Sequence, residues 1–345
     1  MKAKVEFCRK STSHSPVAIF CITLSALFFS AINAGAQSCQ TSSELEGATL
    51  AGITAAGQRY FDMAAKADVA SLRQNSIPSL ASDFSGIETT IKDHQQDLAS
   101  AQAMVKSVFV LEAEGKDPAP HSEFYCGVFG KNGQTSSSAV FQLDSLPPGK
   151  YSVVLIDATG PTRRTMFSVI LRQAGTDWKL AGLYLKPAQV AGHDSDWFVA
   201  RAREFKAKGQ LHNAWFYYAA ASGLTYRLNF MTTLATDKLY DESQSAQPAD
   251  IPANGKTVDL LAGAATYKLT AVFPDGVGND LELTVKYQAA DISNTNQAYQ
   301  NNVAVIKSLV AKYPELKDAF GGVVARAVDP AGRDYGTLLA MKDIK

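Results

Sequence analysis

The sequence predicts an α+β protein: N-terminal helices laid on an antiparallel sheet, then a helical hairpin, then a small C-terminal α+β domain. Three observations carry that expectation. Apolar residues recur with a period near 3.6 up to about residue 105, and with a period near 2 from there to about residue 187. Two amphipathic stretches follow, DWFVARAREFKAK at 196–208 and GQLHNAWFYYAAASGL at 209–224. Beyond a polar, Pro-containing segment at 241–256, alternating stretches and one further helical pattern fill 257–345. With 345 residues, 46% hydrophobic and 19% charged, the chain can bury a core and form two or three domains.

The first 36 residues stand apart. Lys2, Lys4, Arg9 and Lys10 against Glu6 make a basic start, followed by an apolar or small run from Val17 to Ile32. That run is shorter than the roughly 20 residues a spanning helix needs. Ala34-Gly35-Ala36 fits a small-x-small cleavage site, so the segment reads as a secretory signal peptide at 1–36. Export, periplasmic or secreted, is the expectation, with no stable membrane span after cleavage. Removing these residues turns 33 basic and 33 acidic residues into 29 against 32, a net charge of about −3. Such a surface offers no general attraction to nucleic acid or anionic lipid. Cys8 and Cys21 leave with the leader. Cys39 and Cys126 remain, a pair compatible with a disulfide in an exported chain. Its loop of about 88 residues would contribute roughly 4.5 kcal/mol in the chain-entropy model. Two free thiols are the alternative.

Along the mature chain, Ile53, Ala56, Tyr60, Ala64 and Ala67 share one stripe of a helix at about 45–67. Asp68 stands where a cap belongs, before VASLRQ. A third helix is expected from about residue 86 to 106, with Ile87, Ile91, Leu98, Ala101 and Val105 on its apolar face. Six strands follow at 108–114, 123–129, 139–143, 151–158, 165–173 and 178–186, separated by Gly, Pro and Asn turns. In the last part, TVDLLA, TYKLTAVF and DLELTVKYQ alternate as strands. A helix carries Tyr299, Val303, Ile306, Val310 and Tyr313, and a final hairpin turns at Pro330-Ala331-Gly332.

AAGQRYFDMAAKADVASLRQ at 55–74 and DWKLAGLYLKP at 177–187 resemble the opening helices and closing strand of the nuclear-transport-factor-like, or cystatin-like, cone fold. The resemblance covers about 45–187. It implies a strongly bent antiparallel sheet crossed by helices, with a cone able to take a small apolar ligand. In enzymatic members it implies a cavity His or Asp acting as acid or base. FQLDSLPPGKYSVVLIDATG at 141–160 is similar instead to a strand-turn-strand of small carboxypeptidase-regulatory-like sandwiches, and the residues leave both open.

At 196–223, Phe198, Ala202 and Phe205, then Gly209, then Ala214, Tyr218 and Ala221 resemble one tetratricopeptide unit. Arg201 departs from the pattern, and 34 residues on stand Thr232 and Thr236 with no helix-pair pattern. A single structural hairpin within 191–240 is therefore expected, bridging a cone-like domain at 37–190 and a C-terminal domain at 257–345 through a linker at 241–256. The aromatic run at 215–218 points all round its helix, so the hairpin is either clamped between domains or exposes an interaction face. Trp197, Arg203, Trp215 and Tyr217 are the candidate binding residues for that face.

The sequence carries no Gly-x-Ser-x-Gly, His-Glu-x-x-His or Cys-x-x-Cys motif. His94, on the apolar side of its predicted helix, and the carboxylates Asp62 and Asp157 are the candidate acid–base groups. His193, Asp194 and Asp196 form the densest potential metal cluster, although the same residues suit a helix cap. No cofactor is called for. The expected function is an exported, non-enzymatic binding or scaffold protein recognising a protein partner or small apolar ligand. A cone-fold isomerase, dehydratase or hydrolase is the alternative.

Overall fold

The protein is described by a computed structural model that covers residues 37–161, 163–253 and 255–345. The expected leader and its cleavage site lie outside the described residues. The architecture is α+β, as the change of period predicts.

The chain starts with β1 (Gln37–Thr41) and then five helices: α1 (Gly47–Ala65), α2 (Val69–Gln74), α3 (Pro78–Ser82), α4 (Ser85–Asp93) and α5 (Gln95–Leu98). Ile53, Ala56, Tyr60, Phe61 and Ala64 are the buried stripe of α1. Asp68 caps α2 by accepting the Ser71 amide at 3.1 Å. The helix expected at 86–106 is shorter than its periodicity suggests. It ends at Leu98, and β2 (Gln102–Ala113) begins four residues later. Ala101 and Val105 do face the core, but as alternate positions leading into and along a strand that pairs over its whole length with residues 149–159. Pairing decides against the local period here.

The remaining strands of this half are β3 (Ala119–Cys126), the short β4 (Phe129–Gly130) and β5 (Gly133–Gln134), β6 (Ala139–Leu146), β7 (Gly149–Thr159), β8 (Arg164–Ala174) and β9 (Asp177–Pro187). Of these, β7, β8 and β9 join β1 and β2 in a five-stranded antiparallel sheet ordered β1-β2-β7-β8-β9, with register shifts at Val105/Ser107 and Ile170/Leu171. Both faces of that sheet are covered. Val108, Val110, Val154, Ile156, Phe167 and Val169 pack beneath the helices. Phe109, Leu111, Tyr151, Val153 and Leu155 face a second sheet, in which β6 pairs with β3 on one side and with residues 231–233 on the other. This explains the unbroken apolar run within YSVVLI: a strand buried on both sides has no solvent face to alternate with. A disulfide joins Cys39 of β1 to Cys126 of β3, with Cα atoms 4.9 Å apart, and so ties the two sheets together.

Next come α6 (Ser195–Ala207), α7 (Leu211–Thr225), β10 (Met231–Thr233) and α8 (Leu234–Gln244). The turn between α6 and α7 is made at Gly209, whose φ of 77° is the left-handed conformation that suits glycine. The third helix, α8, opens on the stretch at 232–236 that shows no helix-pair pattern, and it covers the start of the segment expected to be a linker. Its capping box is made by two threonines, Thr233 and Thr236.

The C-terminal sheet runs β11 (Val258–Ala262), β12 (Ala265–Val277), β13 (Asp280–Gln288), β14 (Gly322–Val328) and β15 (Asp334–Ala340), in sequence order. Its ladders are antiparallel except for β13 and β14, which are parallel and joined through α9 (Thr295–Lys312). The inward face of α9 is Ala298, Asn302, Val305, Ile306, Leu309 and Val310. Tyr299, expected on that face, is 48% exposed. Buried Asn302 is fully engaged, accepting from the Tyr287 hydroxyl at 2.7 Å and donating to the Tyr335 carbonyl and Thr337 hydroxyl at 3.0 Å each. One continuous hydrophobic cluster unites α6, α7 and α8 with this sheet.

Candidate functional site

The acid–base candidates are placed on separate elements. His94 ends α4, with Nδ1 2.9 Å from the Thr90 carbonyl. Asp62 is exposed on α1 and accepts from Gln58 at 2.9 Å. Asp157, on β7, forms an ion pair with Arg227 and lies 4.0 Å from Lys106. Asp194 caps α6, accepting the Trp197 amide at 3.2 Å, and lies 3.9 Å from Arg164. His193 stacks on Trp197, ring centroids 3.6 Å apart. Among the described residues, no three His, Cys, Asp or Glu side chains are grouped so as to hold a metal ion.

The aromatic run is clamped. Tyr217, expected at a binding face, is 5% exposed, donates to the Ala319 carbonyl at 2.7 Å and touches Phe198, Phe205 and Phe320. Burial pushes its hydroxyl up to about 12. Phe216 is 2% exposed and packs on Phe320, and Trp215 is half-buried against the same cluster. Arg203 is not a free outer charge. It grips both oxygens of Glu242 on α8 at 2.6 and 2.8 Å, and Glu242 also accepts from Tyr218 at 2.8 Å. Trp197 keeps an exposed edge at 38%.

Two adjoining clefts open where the sheets meet α7 and α8. The first, about 760 Å³, is walled by Thr41–Ser43, the Lys106–Phe109 segment of β2, Ser136–Ser138, the end of α7 and the start of α8. Phe109, Leu155 and Met231, members of the core between the sheets, form its floor. Lys106, Arg227 and Lys238 line it, and no carboxylate does. The second cleft, about 470 Å³, shares Lys106 and Arg227 and adds Arg164, Asp157, Asp194 and Asp196. Three of the sequence candidates thus converge here, beside charges the sequence reading passed over. Thr165, 1% exposed, lines the second cleft, and its hydroxyl has no partner in the structure.

The walls are fixed from behind. Ser42 replaces a strand partner for Val108, accepting its amide at 2.9 Å and donating to its carbonyl at 3.1 Å. Gly127, at φ 80°, lets the Ser136–Ser138 loop approach: a Cβ there would stand 2.3 Å from the Ser137 carbonyl. Lys186 holds the loop that carries Arg227, donating to the Tyr226 carbonyl at 2.9 Å and Asn229 at 3.0 Å, and burial lowers its pKa below the usual lysine value. Gln134 donates to Thr232 at 3.1 Å and Asp237 at 2.7 Å, anchoring the start of α8. Side chains held in this way can meet a ligand without first being ordered.

Compared with known proteins, the chain matches no family model, no curated protein and no solved structure.

Proposed function

We propose that this chain is an exported, non-enzymatic binding protein that holds a small ligand in the paired clefts around the end of α7, the first bounded by α8 and the second by the start of α6. The observation that carries this reading is the first cleft: its volume is in the range of small-molecule sites, and its polar walls are fixed by hydrogen bonds outside the cleft. On the helix side of the sheet Tyr60, Phe61 and Phe167 fill the space beneath α1, and the opening of about 600 Å³ beside it, lined by Arg59, Lys150, Gln173 and Asp177, has no comparable apolar floor. Kinship with nuclear-transport-factor-like folds is likewise a proposal, supported by helices laid across an antiparallel sheet. The enzymatic alternative would need a carboxylate available as a base, whereas Asp157 is held between two cations.

Export is supported by the basic, apolar and small-residue succession at 1–36 and by the Cys39–Cys126 bridge, which suits an oxidising compartment. Among the described residues no helix is long and apolar enough to cross a membrane.

The binding reading is tested by ligand-observed NMR of a metabolite extract, using the mature protein and an Ala235→Trp variant that fills the first cleft. Signals that broaden with the first and not with the second support it. Identical spectra from the two proteins would overturn it. Intact mass of the exported product should begin at Gln37, and thiol titration of the unreduced, denatured protein should find no free sulfhydryl.

A further inference from the structure

Charge is distributed unevenly around the first cleft. The whole chain has as many acidic as basic residues, yet this cleft has Lys106, Arg227 and Lys238 on its walls and no carboxylate. Asp157, behind the wall, meets both Lys106 and Arg227 and can offset one of those two charges. Lys238, exposed near the start of α8, takes part in no ion pair among the described residues. The cleft therefore holds about two positive charges in excess, facing a partly enclosed space where screening by salt is weaker than on an open surface.

Hydrogen-bond donors have the same bias. The first amides of a helix have no partner within it. In α8 the capping box engages the amides of Thr233 and Thr236, while Leu234 and Ala235, between them, both line the cleft. The hydroxyl of Ser136 adds a donor that can turn toward an anion, whereas those of Ser43, Ser137 and Thr225 are engaged by Thr41, Thr135 and the Ala221 carbonyl. The floor is different: Phe109, Leu155 and Met231 are apolar and belong to a packed core. A ligand that only filled the cationic wall would leave that floor against water. The second cleft carries Asp157, Asp194 and Asp196, so an anion is favoured in the first cleft and not the second.

We infer that the first cleft binds an amphiphile whose head is a compact oxyanion, such as a phosphate ester, and whose short apolar stem lies on the Phe109–Leu155–Met231 floor. The inference rests on the ligand-binding reading above and adds to it the chemical class of the ligand. The head sits among Lys238, Lys106, Arg227 and the amides of Leu234 and Ala235.

The test uses four probes on the mature protein: octyl phosphate, 1-octanol, octylammonium and inorganic phosphate. Titrations are followed by calorimetry and by amide shifts at Leu234, Ala235 and Lys238. Octyl phosphate is expected to move these amides and to bind at least about tenfold more tightly than the other three, as for a charged hydrogen bond added to apolar contact. Lys238→Gln should weaken octyl phosphate by about tenfold and leave 1-octanol unchanged. If 1-octanol or octylammonium occupies the cleft as tightly as octyl phosphate, the cleft binds ligands but the oxyanion class is wrong. If inorganic phosphate binds as tightly, the apolar stem is wrong. If octyl phosphate moves no cleft amide, the inference fails, and the extract comparison with Ala235→Trp then decides separately whether the cleft binds anything.

Discussion

The two ends of α7 sit in opposite surroundings. Its first turns are enclosed: His212 lies between Glu315 at 2.8 Å and Asp250 at 2.9 Å, Asn213 donates to the Glu315 carbonyl at 2.6 Å, and Phe216, Tyr217 and Tyr218 are buried. Its last turn, at Thr225, opens on the first cleft with hydroxyls and cations around it. One helix therefore serves both as the spine of a dry core and as the wall of a polar site. The difference suggests where substitutions should act: at the first end on stability, at the second on binding with little effect on stability.

The largest effect should come from the enclosed end. Phe216→Ala removes a ring that is 2% exposed and should destabilise the protein by about 3–5 kcal/mol, read from the chemical-denaturation midpoint. A small loss there would mean that the contact with Phe320 is loose. Ala214→Leu, at a 0% exposed position in the same cluster, should overfill the packing and cost about 1–3 kcal/mol. An unchanged midpoint would show slack between α6 and α7.

A smaller effect is expected at the rim. Arg203→Ala should cost no more than about 1 kcal/mol, because the Arg203 side chain is 62% exposed and its ion pair is screened. The hydrogen bond from Arg203, then that from Tyr218, holds Glu242 below the usual carboxylate range. The folded state thus binds fewer protons at Glu242 than the unfolded chain does. Its contribution is present above the ordinary glutamate pKa and is lost as pH falls through the lowered one. Stability measured across the acid range should be less steep in Glu242→Gln than in the parent, and equal slopes would count against this assignment. The smallest effect is Lys238→Gln, which should leave the denaturation midpoint unchanged while weakening octyl phosphate. A shifted midpoint would show that Lys238 supports the fold and blur the contrast between the two ends.

Much of the fold was legible because most elements carry their own signal. The strands from 139 to 187 are bounded by turn residues, and Asp68 caps the helix it precedes. Several elements were not legible, β1, β10, the start of β2 and α8 among them. Leu98, Ala101 and Val105 keep helical spacing across a real break, since pairing with β7 carries the strand expected at 108–114 back to residue 102. The start of α8 is marked by Thr233 and Thr236 in place of the Glu or Gln usual at the second position of a capping box. The site was less legible still. Asp157, Asp194 and Asp196 were singled out, but Lys106, Arg227 and Lys238 come from three separated segments, and each in isolation looks like an ordinary surface charge. The binding face expected from Trp215 and Tyr217 reflects the opposite difficulty, because an all-round apolar helix reads alike whether exposed or enclosed.

The Cys39–Cys126 bridge closes a covalent ring that contains α1 to α5, β2 and nearly all of β3. The exposed stretch Glu114–Asp117 lies inside that ring. A protease that cuts there should release nothing: the two pieces stay joined and migrate together until a reductant is added. The bridge also leaves the cleft walls at Thr41–Ser43 and Ser136–Ser138 on opposite sides of such a cut yet still linked. A nicked molecule should therefore keep both cleft walls in place until a reductant is added.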